Sequence, residues 1–474
     1  MKKFLLIGAA TLMVSNSTFA GGYLTNTNQH AAFLRMIARG TTSDIDAVYS
    51  NPAGLTWMKK EGFALSFSVQ NASQNRDIDA KYSIYDYKSN PAKPGMENYS
   101  QYYTGDASAP FIPSFFVTYK KNDWVLSGSF AVVGGGGKAS YDFGLPMFDS
   151  ALRFGLANNE KLVGFKNALK AKNFPVNKVA DLYDLNTAMD GSQIIYGVQI
   201  GATYKVYDWL SVFVGGRMNY FNGNYKGYAE ANVKENYSQI YQQATGSKDN
   251  NITRLALDCD QTGWGLTPII AASVKYKGLT ASAKFESITN LNLENTTHEN
   301  TDPNGALAAF AHGVNTPSDI PGFISLAVGY DVLPSLRAAV EYHHYFDKNA
   351  RMAENKQEEL SGGTNEFLAG IEWDAHKYVT ISAGYQNTDY GLSDNFQTDT
   401  SFSCDSNSYG FGAKLNLSSH VQMNIAYFWT DYKDYTKTYT NTFSMGEQTL
   451  PSVTGSNTYK RTNKVFGVSL DYTF

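Results

Sequence analysis

Ile324-Ser325-Leu326-Ala327-Val328-Gly329-Tyr330, a brief Leu333-Pro334-Ser335, and then Leu336-Arg337-Ala338-Ala339-Val340-Glu341-Tyr342 form the stretch that decides the fold. Apolar residues fall on every second position, which puts Ile324, Leu326, Val328 and Tyr330 on one face of a strand. Only a few residues separate the two stripes, so they form a hairpin. The stripe returns along the chain, from Phe63-Leu65-Phe67-Val69 to Phe466-Val468-Leu470-Tyr472-Phe474, and the count reaches fourteen strands. Opposite faces carry Gln199, Thr203, Lys284, Glu286, Arg337, Glu341, Glu372, Lys414, Asn416, Gln422, Asn424 and Asp471.

Alternation alone does not separate a soluble sandwich from a membrane barrel, but connection lengths do. Short links occur at Lys121-Asn122, Tyr207-Asp208, Lys277-Gly278, Leu333-Pro334-Ser335, Asp374-Ala375-His376-Lys377 and Ser418-Ser419-His420. The connections between them are long, at about 71–109, 134–190, 223–262, 292–320, 348–363, 389–405 and 436–459. Strict alternation puts all turns at one rim and all loops at the other, the layout of an outer-membrane barrel. In lipid only a closed barrel satisfies every backbone group of a sheet. Tyr119, Trp124, Tyr204, Trp209, Tyr276, Tyr330, Trp373, Tyr378 and Tyr472 sit beside the short turns, where an interfacial girdle belongs. The expected fold is therefore all-β: a 14-stranded antiparallel transmembrane β-barrel over 61–474.

Composition agrees. The 474 residues are 43% apolar, 14% aromatic and only 17% charged, with a net charge of −4. Mean hydropathy is −0.34, and no window offers the run of about 18 apolar residues that a transmembrane helix needs. Abundant aromatics argue against disorder, and the absence of a Lys/Arg-rich run argues against nucleic acid. Lys2 and Lys3, the apolar run Phe4–Val14 and the small residues ending at Ala20 describe a secretory signal over 1–20. Residues 21–60 do not alternate, and Phe33, Leu34, Met36, Ile37, Val48, Leu55 and Trp57 need burial. The lumen is the nearest place, since fourteen strands enclose more space than their own side chains fill. A short plug, or hatch, over 21–60 is expected there.

Within that segment, Ala38-Arg39-Gly40 and Asp44-Ile45-Asp46-Ala47-Val48-Tyr49-Ser50-Asn51-Pro52-Ala53-Gly54-Leu55 resemble the N-terminal hatch of the FadL/TodX family. The matching hallmark is Asn51, Pro52 and Ala53, and Asp319–Tyr330 looks like the family's eighth strand. The resemblance implies a monomeric outer-membrane channel of a Gram-negative bacterium for long-chain fatty acids or aromatic hydrocarbons. Its partners would be a hydrophobic small molecule, outer-membrane lipid and lipopolysaccharide, and the barrel-assembly machinery acting through Phe474. No cofactor is implied. It also implies that Gly21, Gly22, Tyr23 and Leu24, with Phe33, line a ligand pocket, and that helical loop segments form a capture groove. Phe148-Leu152-Leu156 and Leu162-Phe165-Leu169 have helical spacing in loop two; Tyr228–Ala244 and Leu307–Phe310 are further groove candidates.

Gly134, Gly135, Gly136 and Gly137 end strand three and mark either a bulge or a flexible start to loop two. In the family an inward kink of that strand opens the wall. Lys284, Arg337 and Lys414 either attract a ligand carboxylate or pair with Glu286, Glu341 and Glu372. Cys259 and Cys404 are either bridged between loops or two free thiols. Adjacent His343 and His344 point to opposite faces, and neither a Gly-x-Ser-x-Gly elbow nor a His-Glu-x-x-His helix is present, so no catalytic or metal site is expected. A hydrophilic porin or a surface adhesin is the alternative, and the hatch argues against an open pore.

Overall fold

The computed structural model describes residues 28–88, 93–305, 307–445 and 447–474. Residues 1–20, and Gly21, Gly22, Tyr23 and Leu24 with them, lie outside the described residues. The described strands form one antiparallel sheet that closes on itself through pairing of its first and last members, Ala64 opposite Thr473 and onward to Ile84 opposite Val453.

Fourteen wall strands make the barrel. They are β1 (Gly62–Asp86), β2 (Gly95–Tyr103 and Asp106–Lys121), β3 (Trp124–Tyr141), β4 (Tyr183–Tyr207), β5 (Leu210–Val233), β6 (Asn251–Tyr276) and β7 (Leu279–Glu286 and Asn292–Asn300). There follow β8 (Asn315–Pro317 and Phe323–Leu333), β9 (Leu336–Tyr345), β10 (Asn365–His376), β11 (Val379–Asp389), β12 (Ser406–Asn416), β13 (Val421–Tyr432 and Tyr435–Met445) and β14 (Gln448–Thr473). The fold expected from the alternating stripes is the fold observed.

The polarity of the two faces is inverted relative to a soluble protein. Phe67, Leu126, Ile200, Val214, Ile270, Val340 and Phe411 are exposed on the outside, while Ser66, Ser68, Thr203, Asn219, Glu372 and Asn424 are buried inside. Such an apolar outer belt is stable only against lipid. The expected girdle residues are all exposed, with the Trp124 and Tyr204 rings 4.6 Å apart. Phe474 is exposed beside Phe63 and Tyr472.

Several expected loops are strand. β1 runs to Asp86, far into the segment 71–109, and 436–459 is a hairpin of β13 and β14. Farther along β1 the outer face becomes polar, as at Ser73, Asn75 and Asp77. The backbone ladder continues there although the stripe that betrays it has gone. After the short α1 (Ala31–Arg35) and α2 (Ala47–Ser50) before the barrel, loop two does hold helices at the expected spacing, α3 (Pro146–Ala157) and α4 (Glu160–Ala171), and loop three holds α5 (Glu235–Thr245).

Candidate functional site: the hatch, the lumen and the wall beside them

The hatch begins with a short helix, Ala31–Arg35, capped by the His30 ring, which accepts from Ala32 N–H at 3.1 Å. The other ring nitrogen of His30 is 2.9 Å from Ser66 Oγ and 3.0 Å from Asp471. Phe33, Leu34, Met36 and Ile37 pack on Ala339, Leu368, Phe428 and Val465 of the wall. Each such side chain taken from water contributes about 1.5–3 kcal/mol. Arg35 is fully buried and donates to Asn424 at 2.8 Å, Glu372 at 2.5 Å and Ser382 at 2.8 Å. Arg39 grips Asp46 with two parallel bonds of 2.8 and 2.7 Å, which folds the hatch back on itself.

The Asn-Pro-Ala triplet follows a single helical turn, Ala47–Ser50. Asn51 donates from its side chain to the Thr42 carbonyl at 3.0 Å. Gly54 is required next to it, because a Cβ there would lie 2.3 Å from Asn51 Nδ2. Pro52 and Ala53 offer their carbonyls to hydroxyls on the wall, Thr203 of β4 at 2.8 Å and Ser211 of β5. Ala53 is buried against Phe213, Ile269 and Ala271. The triplet therefore acts as a seat on β4–β6.

Missing from the sequence reading is the surface that receives the first helix. Gly370, Gly384 and Gly410 lie directly opposite one another across β10, β11 and β12. A Cβ at Gly410 would stand 2.1 Å from the Leu34 carbonyl oxygen, and one at Gly384 would stand 2.4 Å from Ile37 N. The signal was present as glycines at inward positions of consecutive strands.

Inward charges of the lower lumen are paired, though not always as expected. Lys284 does meet Glu286 at 2.9 Å, where Arg217 also binds. Arg337 instead takes Asp374 at 2.7 Å and only brushes Glu372, while Lys414 takes Asp44 of the hatch at 3.2 Å. Glu341 accepts from His343 at 2.7 Å and from Gly40 N–H at 2.8 Å, so it serves as a hatch anchor. Cys259 and Cys404 are free and sit in separate clusters. His344 points away from His343, as alternation requires, towards Asn365 and Phe346.

A cavity of about 40 Å³ lies above the hatch, between Phe33, Ile37 and Tyr49 on one side and Phe323 and Tyr345 on the other. Phe33 is among the residues that line it. A second, apolar cavity of about 70 Å³ lies among the outer loops. It is lined by Met147 and Phe148 of α3, Tyr228 of β5, Leu255 and Leu257 of β6, and Leu307 and Phe310. Loop two, loop four and the start of the loop-three segment meet there; α5 does not. Farther out, Lys356 borders a more polar cavity of about 370 Å³, where burial and the neighbouring Lys437 push its ammonium down to about 8.

The pairing of β2 with β3 is interrupted. Pairing runs from Lys121 opposite Trp124 to Ser114 opposite Ala131, stops, and resumes at Ser108 opposite Lys138. On the far side of β3, register shifts between Val132 and Gly134 and between Gly134 and Gly137 insert two bulges against β4. Gly135 has φ 97°, and a Cβ on it would sit 2.3 Å from the Gln193 carbonyl. Across the opening, Pro110 and Pro113 have no N–H to give. The glycine run is therefore a pair of bulges in a strand, not a flexible loop entrance. Ser114, at the lower edge of the opening, donates to the Gln29 carbonyl of the hatch at 2.9 Å.

Among solved structures the chain matches a FadL homologue of Pseudomonas aeruginosa with a TM-score of 0.61, at 15% identity, over 95% of this chain and 99% of that one. It also matches the P. putida toluene transporter TodX with a TM-score of 0.52, at 12% identity, over 91% and 95% of the two chains. This is the FadL/TodX fold. No family model and no curated protein matches the sequence. The resemblance read from Asn51-Pro52-Ala53 is thus met in architecture over 95% of the chain.

Proposed function

We propose that the chain is an outer-membrane channel for passive uptake of hydrophobic small molecules. The observation that carries this reading is the opening between β2 and β3 beside a lumen stoppered by the hatch. An apolar solute gains about 0.8 kcal/mol for each CH₂ kept from water. A sideways exit into lipid is therefore better for such a solute than the polar axial route. The hatch, pinned by Arg35, Glu341 and the Pro52 and Ala53 carbonyls, blocks that axial route. The path then starts in the groove of Phe148, Leu257 and Phe310, descends the lumen to the cavity by Phe33, and leaves past Gly134–Gly137. TodX, which shares the fold, is a toluene transporter. In this reading Phe474, exposed just past the end of β14, would serve the assembly machinery, and the barrel would act as a monomer.

Uptake of tritiated oleate and of toluene by cells with and without the protein tests this, with a glucose-sized sugar as control. Hydrophobic uptake alone is the expected result. Sugar uptake alone would replace the reading with a hydrophilic porin, and uptake of none of the three would overturn transport of apolar solutes.

A further inference from the structure

The wall lysines that meet the hatch are answered by carboxylates, Lys284 by Glu286 and Lys414 by Asp44. Lys356 is not. Its half-buried ammonium forms no ion pair and no hydrogen bond among the described residues, and lies 5.7 Å over the Phe396 ring. Burial and the neighbouring Lys437 push it down to about 8, although Glu354 and Glu359 act in the opposite direction. A cation desolvated without a partner costs free energy, and the backbone adds to the cost. Glu354 and Asn355, the two residues before it, both lie in the left-handed region, at φ 56° and 57°. Residues other than glycine are strained there. Both costs are met in bringing Lys356 to the wall of the polar cavity of about 370 Å³.

Another side of that cavity is the sheet formed by the outer halves of β13 and β14. Lys437, Tyr439 and Asn441 alternate onto one face of β13, with Asn457 directly opposite Lys437. The register slips between Asn441 and Thr442, a bulge of the kind that re-aims a side chain. Lys437 gives one bond to the Gln397 carbonyl at 2.7 Å and has no carboxylate partner among the described residues, which leaves two of its three donors. Asn441 makes no side-chain hydrogen bond among them, and Tyr439 makes only a long one, 3.5 Å to Asn457. The carboxylates nearby are engaged elsewhere. Asp399 is buried and accepts from Asn457 at 2.9 Å, Tyr459 at 2.8 Å and the Met147 N–H at 2.8 Å. Glu354 and Glu359 are exposed, and Glu359 accepts from Asn395 at 2.9 Å.

Two ammonium groups, an amide and a phenol are thus left with hydrogen bonds to make, around a space of the size that small-molecule sites have. Two neighbouring cations without a counter-charge suit a dianion, and a phosphate monoester carries close to two negative charges at neutral pH. The amide and the phenol both donate and accept, as the hydroxyls of a sugar require. An apolar ligand would leave them unpaired. We propose that this cavity binds a phosphorylated sugar, its phosphate on Lys356 and Lys437 and its hydroxyls on Tyr439 and Asn441. Met147 of α3 stands between this cavity and the apolar groove, so the two sites are neighbours with different linings. Such a ligand comes either free in solution or as part of the lipopolysaccharide around the barrel.

The test is calorimetric titration of the purified full-length chain with glucose 6-phosphate, glucose and inorganic phosphate, for the parent, K356Q/K437Q and N441A. Folding of each is checked by the heat-dependent shift of its band in gels. The parent should bind glucose 6-phosphate at least about tenfold more tightly than glucose or inorganic phosphate. K356Q/K437Q should lose at least about tenfold of that affinity, with toluene uptake by cells changed by less than about twofold. If the double variant fails to fold, K356Q and K437Q singly take its place, each with an expected loss of about threefold. N441A should weaken glucose 6-phosphate about threefold and leave inorganic phosphate unchanged. No binding of glucose 6-phosphate by the parent, equal affinity for inorganic phosphate, or unchanged affinity in the lysine variants would overturn the proposal. A matching fall in toluene uptake would overturn it as a site separate from the uptake path. Competition with deacylated lipopolysaccharide, before and after phosphatase treatment, separates the two sources. Displacement by the phosphorylated form alone supports a ligand in the surrounding leaflet, and displacement by neither supports a free sugar phosphate.

Discussion

Between β11 and β12 the ladder runs without a break from Val379 opposite Leu415 to Thr388 opposite Ser406, with Gly384 facing Gly410 midway. Between β2 and β3 the ladder stops, with Gly134–Gly137 on one side and Pro110 and Pro113 on the other. Both seams are rich in glycine, with opposite consequences. In register, glycines keep every hydrogen bond and merely remove side chains, leaving a flat surface on which the Leu34 and Ile37 backbone lies. Out of register, at two bulges and opposite residues with no N–H, they cost the wall its hydrogen bonds. One seam receives the hatch helix, and at the other the ladder is broken.

The largest effect should come from filling the flat seam. In G410L the new side chain meets the Leu34 carbonyl, and overpacking of this kind costs about 1–3 kcal/mol. The hatch should unseat while the barrel persists, so that cells begin to admit a glucose-sized sugar. An unchanged sugar barrier would show that the glycine row is not what seats the helix. Next comes the broken seam. G135V places a branched side chain at φ 97° against the Gln193 carbonyl, with strain of about 1–3 kcal/mol. Toluene uptake should fall several-fold with the heat-shifted gel band intact. P110T/P113T restores two N–H donors and should act in the same direction by letting the ladder close. Normal uptake in both variants, at normal surface levels, would sink the lateral exit.

The contrast also explains what was legible in the sequence. Strand number, closure and the girdle followed from stripes such as Leu326-Val328-Tyr330, because lipid demands an apolar outer face; the hatch followed from residues 21–60, whose apolar side chains do not alternate. Strand ends were misjudged at 71–86 and 436–459, because no lipid touches those residues and the hydrogen-bonded ladder leaves no mark on side-chain polarity. Gly134–Gly137 stood out as a run, whereas Gly370, Gly384 and Gly410, far apart in sequence, become one surface only once register is known. Pairing of inward charges was foreseeable as a rule. Arg337 with Asp374 and Lys414 with Asp44 required the partner's place in the fold.

Two smaller effects sharpen the comparison at the ends of the path. N51A removes the 3.0 Å bond to the Thr42 carbonyl, worth about 1 kcal/mol, but leaves the Pro52 and Ala53 carbonyls on Thr203 and Ser211. Hydrogen exchange over 44–57 should therefore quicken about fivefold while the sugar barrier holds, in contrast to G410L. If N51A leaked sugar as G410L does, the seat on β4–β6 would be the main anchor and the glycine row secondary.

The smallest effect is expected at the outer groove, which neither seam controls. Phe310 is only half-buried there and packs edge-on against Tyr225 with ring centroids 5.7 Å apart. Its removal in F310A takes apolar area from the proposed capture groove and leaves the lumen and the broken ladder untouched. A groove that merely concentrates ligand sets how much solute is needed, whereas the opening sets how fast a full channel empties. F310A should therefore raise the half-saturating toluene concentration a few-fold with the maximal rate unchanged, and G135V should lower the maximal rate. If F310A lowered the maximal rate instead, capture and exit would be one step, and the rate would be set among the loops rather than at the broken ladder.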